Sequence, residues 1–529
     1  MTWSSSKAGT LITSLSAHQE HPAGEKLILP QTNFPLKSFP LIFSDRYQLL
    51  NQEDEQKEPQ GEASRDRNDS KDFNETGPKD TYYLESFHFR DYPDRADLIH
   101  QWVSKFISFA KERYGLKQPW EKIRIVAVEA EYEHVKVINN LILIPLPNYK
   151  RSGFLDRRVL GLVSLSLGQL WFGEKIWNDE DLELWISRGI AAFLGLRFFE
   201  QHYGKDAGIF GFIDWMNPRF REHFIEDMAL SNNEETAHPI YASFQASEDP
   251  RLHMMRVTYK TAMVLSMLEY MLGKQGFQKG FQSFTESHWH KIGSLRNFQS
   301  EFEEVFKNNN ECISDTSISE TGSEPKKNPL HSRSCFPLPE LDWFFDQWLE
   351  STKRIDYSVK VKNNIVTFKR KSRMQMPIDF RIVCENGTSY DYHIPNNWFV
   401  KKTNAEVLTK WHGWDLIHPT YTTKVITLPS KIHDVIIDPT HRLADSYILY
   451  NSMKQNITYE IDHRIRQYPD WKNYEIKYRP DIWWNDYDGL KLVFHTSGGY
   501  LRHHHLYDAT IWINSGKLQK DSLPYACLL

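Results

Sequence analysis

Few residues of this chain have the type and spacing to do chemistry. Arg188, in Trp185-Ile-Ser-Arg-Gly-Ile-Ala191, carries a planar guanidinium fork that suits a carboxylate or phosphate. Ser166 and Gln169 sit in Leu165-Ser-Leu-Gly-Gln-Leu-Trp-Phe-Gly173. The serine has no basic group near neutral pH, and the glutamine offers only a neutral oxygen. His288-Trp-His290 and His503-His-His505 are the histidine clusters. On a helix, residues i and i+2 face apart, so the first reads as a surface feature. In a strand His503 and His505 share a face, and a solvated or interface strand is expected there ahead of adventitious metal binding. Cys312, Cys335, Cys384 and Cys527 lie no closer than 23 positions, which gives no short-spaced metal motif. A reduced chain is expected, the alternative being one disulfide from Cys312 to Cys335. No glycine-rich phosphate loop and no Gly-x-Ser-x-Gly elbow occurs.

A zinc peptidase of the helix-pair type needs two histidines one helical turn apart. It needs a glutamate beside the first to activate water, and a third ligand from a neighbouring helix. The aminopeptidase N family of gluzincins writes this as HELAHQWFG followed by Trp-Leu-Asn-Glu-Gly-Phe-Ala. The two segments around Gln169 and Arg188 resemble that pattern. Trp171-Phe172-Gly173 stand at WFG, and Trp185, Gly189 and Ala191 stand at the Trp, Gly and Ala of the second motif. Gln169 to Arg188 also keeps the family's interval of 19 residues. The functional positions depart. The resemblance puts Leu165 at the first histidine, Ser166 at the general-base glutamate, Gln169 at the second histidine and Arg188 at the third ligand. Leucine has no lone pair, and a permanent cation at position 188 repels a dication at any dielectric. No cofactor is therefore expected here, although the family binds zinc.

Two further family features follow the same course. A Gly-x-Met-Glu-Asn strand binds the substrate's free amine in the family. Lys136-Val-Ile-Asn-Asn140 is the run best placed for it, which puts Asn139 at the glutamate. A downstream Tyr-x-Lys-Gly motif supplies the oxyanion-stabilising tyrosine. Aligned on Lys260, it puts Thr258 at the tyrosine and leaves Tyr259 one residue off, about 100° away on a helix. A one-residue shift would restore Tyr259. The vestigial cleft is thus read as Arg188, Tyr259 and Asn139. Arg188 is either a new anion-binding residue or ion-paired with Glu129 or Glu133, with Ser166 and Gln169 hydrogen-bonded to it.

The elements that must position these residues can be read from periodicity. Leu98, Ile99, Trp102, Val103, Phe106, Ile107 and Ala110 fall at helical spacing from Asp94, with Gly115 as the stop. Ile123-Arg-Ile-Val-Ala-Val128 and Leu141-Ile-Leu-Ile-Pro-Leu146 read as strands. The segment from Asp156 to Gly173 is apolar nearly all round, as a central helix would be. A second helix is expected over Glu180–Tyr203, and a helical array to Phe306 with Met254, Met263, Met267 and Met271 turned inward. A short helix is expected over Leu341–Ser351. From Tyr357 onward the texture is period-two, with turn signals such as Asn386-Gly387. With these elements, the fold class that the resemblance implies is α+β: a thermolysin-like, mainly helical catalytic-type domain, then a small antiparallel β-sandwich, then a β-rich tail.

The expected divisions are a remnant of an N-terminal β region over 1–50, a polar insert over 51–80, an aminopeptidase-like domain over 81–307, a second polar insert over 308–337, the sandwich over 338–455 and the tail over 456–529. The resemblance extends to Val435-Ile-Ile-Asp438 and Leu443-Ala-Asp445 at the end of the sandwich. The tail, with Tyr478-Arg-Pro-Asp-Ile-Trp-Trp-Asn485, resembles the start of an outer-membrane barrel region of some bacterial relatives. Two or three strands cannot close a barrel, so a truncation or shifted reading frame enters as one reading. Lys+Arg at 64 against Asp+Glu at 69 argues against a nucleic-acid partner. A peptide or protein in the old cleft, and a membrane through the tail, are the partners left open. No signal peptide and no run of 18 apolar residues is seen, so the cell envelope enters only through the barrel-like tail. The expected function is a catalytically inactive aminopeptidase-like protein. The alternatives are a zinc aminopeptidase with unrecognised ligands and a non-functional product.

Overall fold

The structure is a computed structural model. It describes residues 2–3, 9–13, 19–21, 27–28, 41–44, 46–53, 82–151, 153–210, 219–222, 224, 238–308, 340–362, 364–424, 430–462, 470–485, 489–501 and 504–515. Most of both polar inserts, Cys312, Cys335, Cys527 and His503 lie outside these residues, and the expectations placed on them go with them. Cys384 is a buried free thiol. The chain forms two compact units, Met1–Ile213 with Phe284–Ser294, and Asp214–Ser283 with Leu295–Leu529.

The first unit is built on a five-stranded sheet. Its strands are β1 (Tyr47–Glu53), β2 (Tyr83–Phe89), β3 (Lys122–Val128), β4 (Lys136–Ile138) and β5 (Leu141–Pro145), in the order β1-β2-β3-β5-β4. β2, β3 and β5 run parallel, and β1 and β4 close the two edges antiparallel. The run Ile123–Ala127 is buried throughout, as a central parallel strand must be with both faces covered. Parallel neighbours need a crossover, and helix α1 (Pro93–Tyr114) supplies it between β2 and β3. Pro93 opens α1, where its missing N–H costs nothing, and Gly115 closes it at φ 66°.

A charged cluster crosses the interior of this sheet. Glu85 and Arg124 are register partners, with Arg124 Nε donating to Glu85 at 2.8 Å and Lys122 Nζ donating at 2.9 Å. Burial pushes the Glu85 carboxyl upward, but its bonds to these two cations hold it below its ordinary value. Ile12, from a short N-terminal strand, packs with Phe87, Val126 and Leu141, so that region shares the core of the sheet. Trp102 of α1 donates its indole N–H to Ser164 Oγ at 2.8 Å and rests on Phe198 at 4.5 Å. These contacts tie α1 to helices α2 (Asp156–Leu167) and α3 (Ile190–Tyr203).

The second unit contains α4 (Pro250–Met255), much of α5 (Thr261–Ser287), α6 (Leu295–Asn308) and α7 (Asp342–Trp348). Met263, Met267 and Met271 are buried. Two sheets follow. One joins β6 (Tyr357–Lys362), β7 (Ile365–Arg370) and β11 (Thr420–Lys424). The other joins β8 (Ile378–Cys384), β9 (Ser389–Ile394), β10 (Glu406–Val407) and β12 (Ile432–Ile437). Phe368 and Phe380, one from each sheet, meet at 4.6 Å between ring centroids. Asn386-Gly387 makes the β8–β9 turn, with Gly387 at φ 83°.

The tail is a four-stranded sheet of β13 (Ile457–Ile461), β14 (Tyr474–Asn485), β15 (Gly489–Tyr500) and β16 (His504–Asn514). Ile482, Leu492 and Ile513 stand in register across it and are exposed. Among the described residues no helix is long and apolar enough to cross a membrane.

Candidate functional site

Leu165 and Ser166 lie in the last turn of α2, Gln169 in the tighter turn Gly168–Leu170 that follows, and Arg188 in a π-helical turn, Trp185–Gly189, that opens α3. The helix proper begins later than Glu180, because Asp179 Oδ1 accepts from the N–H groups of Asp181 and Leu182 and holds the chain in a turn. α2 and α3 run antiparallel, and three glycines let them close on one another. A Cβ at Gly173 would lie 3.0 Å from Ser187 Cβ, one at Gly168 would lie 2.6 Å from Ala191 Cα, and one at Gly195 would lie 2.6 Å from the Ser164 carbonyl oxygen. The two framework tryptophans anchor the ends. Trp171 Nε1 donates to the Lys117 carbonyl and Trp185 Nε1 to Glu183 Oε2, each at 2.6 Å.

The polar residues on this pair do not bond to one another as expected. Ser166 Oγ donates to the Val135 carbonyl at 3.1 Å. Gln169 is buried, and its side chain makes no hydrogen bond among the described residues. Arg188 is exposed and makes no hydrogen bond or ion pair among the described residues. Its expected partners are held by other cations, Glu129 by Arg46, and Glu133 by Arg151 and by Arg158 at 3.2 Å. Both expected pairings of Arg188 are thereby corrected: nearer guanidinium groups take the acids, and a nearer carbonyl takes the serine. Desolvation lowers the Arg188 pKa from its ordinary value and attraction to Glu180 opposes it, while an arginine remains a cation throughout. Because no partner is lost, Arg188→Met is expected to change the unfolding free energy by less than about 0.5 kcal/mol in urea titration. A loss above about 1.5 kcal/mol would reveal a structural pairing.

Asn139 has a local explanation. It sits at φ 55° in the two-residue turn that joins β4 to β5, a conformation asparagine tolerates better than most residues. Its neighbour Asn140 pins the turn by donating to the Lys122 carbonyl at 2.8 Å. The β4 edge is nevertheless close to the helix pair, since Val135 just before it receives the Ser166 hydroxyl.

Thr258 and Tyr259 belong to the second unit and are half-buried, Tyr259 lying edge-on to Phe224 at 5.1 Å. They occupy a π-helical turn, Arg256–Lys260. Such a turn carries one residue more than an α turn, so the helical phase of 100° per residue does not run through it. The one-residue misfit between Thr258 and Tyr259 falls on that turn.

Two buried lysines have lowered pKa values. Desolvation, with nearby Arg256 adding to it, lowers Lys260, on the same π turn, to about 8. Lys175, just past the α2 corner, is lowered to about 8 by desolvation, opposed by Glu174. Its Nζ lies 3.4 Å from the centroid of the Trp120 ring and 3.3 Å from His290 Nε2. Lys175 was not legible in the sequence, because its partners are distant along the chain.

A hydrocarbon, a neutral amide and a cation at Leu165, Gln169 and Arg188 do not fit a zinc ion. Among the described residues no group of three or more His, Cys, Asp or Glu side chains could hold a metal.

Residues 100–318 match the peptidase family M1 domain. The range takes in every candidate residue from Asn139 to Tyr259. A probable aminopeptidase 2 of Sulfurisphaera tokodaii is 24% identical over 195 residues, 35% of this chain and 23% of that protein. Rat glutamyl aminopeptidase is 22% identical over 338 residues, 60% of this chain and 33% of that protein. The fold is similar to that of Legionella pneumophila aminopeptidase A, solved in complex with aspartic acid. The TM-score is 0.50 at 11% identity, covering 77% of this chain and 39% of that one. The chain thus spans well under half the length of each of these proteins. The resemblance of the M1-like segment to the aminopeptidase N family holds on these grounds. The helix pair lies within the matched residues.

Proposed function

We propose that this aminopeptidase-like chain is catalytically inactive as a zinc peptidase and acts through binding. The observation that carries the reading is Arg188. It stands where the resemblance puts an acidic ligand, and it makes no hydrogen bond or ion pair among the described residues. A fixed cation there repels a metal ion and attracts an anion instead. Leu165 and Ser166 support the same reading, since neither binds zinc nor acts as a general base. The guanidinium fork suits a peptide carboxylate, which makes a peptide or protein the ligand class of the old cleft.

The test is metal analysis of the purified protein after dialysis against zinc, with hydrolysis of aminoacyl anilides measured before and after a chelator. Zinc well below one ion per chain and no chelator-sensitive cleavage are expected. Stoichiometric zinc with chelator-sensitive cleavage would overturn the reading and favour a metallopeptidase with other ligands.

A further inference from the structure

A cavity of about 360 Å³ opens in the second unit beside α7. Its aromatic wall holds Trp343 and Trp398, stacked at 5.5 Å with their planes 11° apart. Trp414 joins them from a tight turn and is 58% exposed. An exposed indole face on a cavity rim is the best aromatic surface for a cation.

The charged groups of the cavity are unequally committed. Asp415, the residue after Trp414, lies 3.9 Å from Lys353 Nζ and 3.7 Å from Arg373 Nε. Both cations of the lining are therefore engaged on the turn that presents Trp414. Glu340, Asp342 and Asp346 have no ion pair among the described residues. Asp342 and Asp346 stand one helical turn apart on α7, and like charges at that spacing repel. Burial raises the Asp346 carboxyl and Asp342 raises it further, against a weaker opposing attraction from Lys353.

Two neutral polar groups of the lining are also unmet. Gln375 is 1% exposed; its Nε2 donates to the Trp411 carbonyl at 2.8 Å, and its Oε1 has no partner. Trp343 is 7% exposed and its Nε1 has no partner. Unbonded acceptors and donors at such burial are costly unless a ligand or water meets them.

We propose that this cavity binds the side chain of an arginine or lysine in a peptide segment, with the cation over Trp414 and beside the carboxylates of Asp342 and Asp346. Gln375 Oε1 and Trp343 Nε1 are the acceptor and donor the site adds for the rest of the segment. A sugar would also stack on indole, but only a cation relieves the carboxylate repulsion, and this decides between them. The inference does not rest on the reading of the helix pair.

The experiment titrates the full chain with acetyl-Ala-Arg-Ala-amide, its citrulline counterpart and maltose, followed by tryptophan fluorescence and calorimetry. The arginine peptide is expected to saturate and to bind about tenfold tighter than the neutral citrulline peptide, the ratio a desolvated cation–π contact supplies. Asp346→Asn and Trp414→Ala, both at exposed positions, are each expected to weaken it about three- to tenfold with an unchanged melting temperature. Equal affinity for the citrulline peptide, tighter binding of maltose, no saturable binding of the arginine peptide, or unchanged affinity in both variants would each overturn the proposal.

Discussion

Gly195→Ala is expected to destabilise the protein by about 2 kcal/mol, although alanine is the better helix former. Gly195 lies inside α3, where exchanging glycine for alanine would ordinarily stabilise by about 1 kcal/mol. Against this stands the contact with α2. The added Cβ would meet the Ser164 carbonyl oxygen at 2.6 Å, its carbon at 2.7 Å and Leu165 Cα at 2.9 Å. All three are backbone atoms of a helix that Trp102 also holds, so no side chain can swing away. Overpacking of this kind reaches about 3 kcal/mol and exceeds the propensity gain. Gly280→Ala, at another helical glycine, is a second case. There the Cβ would meet the Phe302 ring at 2.5 Å, and that ring is itself fully buried against Phe277 and Phe298, so a loss of about 1–2 kcal/mol is expected. Urea midpoints at constant slope measure both. A Gly195→Ala protein as stable as the parent would show that the close approach of α2 and α3 is not fixed at this point.

The same helix pair shows what was legible in the sequence and what was not. α1 could be read because its determinants are local: an apolar stripe, Pro93 at the first turn and Gly115 at the stop. The Asn386-Gly387 turn is local in the same way. The start of α3 was not legible, because a single carboxylate, Asp179, holds the preceding residues in a turn that periodicity overlooks. The π turns at Arg188 and Tyr259 add a residue to the helical phase without changing the apolar pattern.

The partners of Glu129 and Glu133 were missed for a different reason. Arg46 lies far from Glu129 in the chain, and which guanidinium wins is settled by sheet and loop placement. In the tail, period-two spacing located the long strands. The parallel pairing of β13 with β14 is non-local and carries no periodic signal. Local pattern thus locates elements and marks the residues at issue, while their partners are set by tertiary contacts.

Asp379→Asn is expected to cost about 3 kcal/mol near neutral pH and to flatten the acid sensitivity of the protein. Asp379 sits on β8, with one carboxylate oxygen 2.6 Å from His393 Nδ1 and the other 2.6 Å from Lys401 Nζ. Burial alone would push the carboxyl upward; the bonds from His393 and Lys401 overcome it and hold the group at about 2, below the ordinary 3.8. The sign follows from the ionised form being favoured in the folded state. This stabilisation is present above pH 3.8 and is lost as the pH falls through about 2. A depression of this size corresponds to about 2 kcal/mol, of which about 1 kcal/mol is gone by pH 3.

The asparagine variant cannot titrate, so its stability at pH 3 relative to pH 6 should fall by about 1 kcal/mol less than the parent's. It also leaves the Lys401 ammonium, whose side chain is only 15% exposed, without its counter-charge, which is why the loss near neutral pH exceeds the titration value. Asp391→Asn is the control. Asp391 also accepts from an arginine, Arg381, but both side chains are well exposed, so its removal is expected to cost less than about 1 kcal/mol. Urea unfolding of the three proteins at pH 6 and pH 3 separates the cases. An Asp379→Asn protein that keeps the parent's full acid dependence would place the acid-labile carboxylate elsewhere.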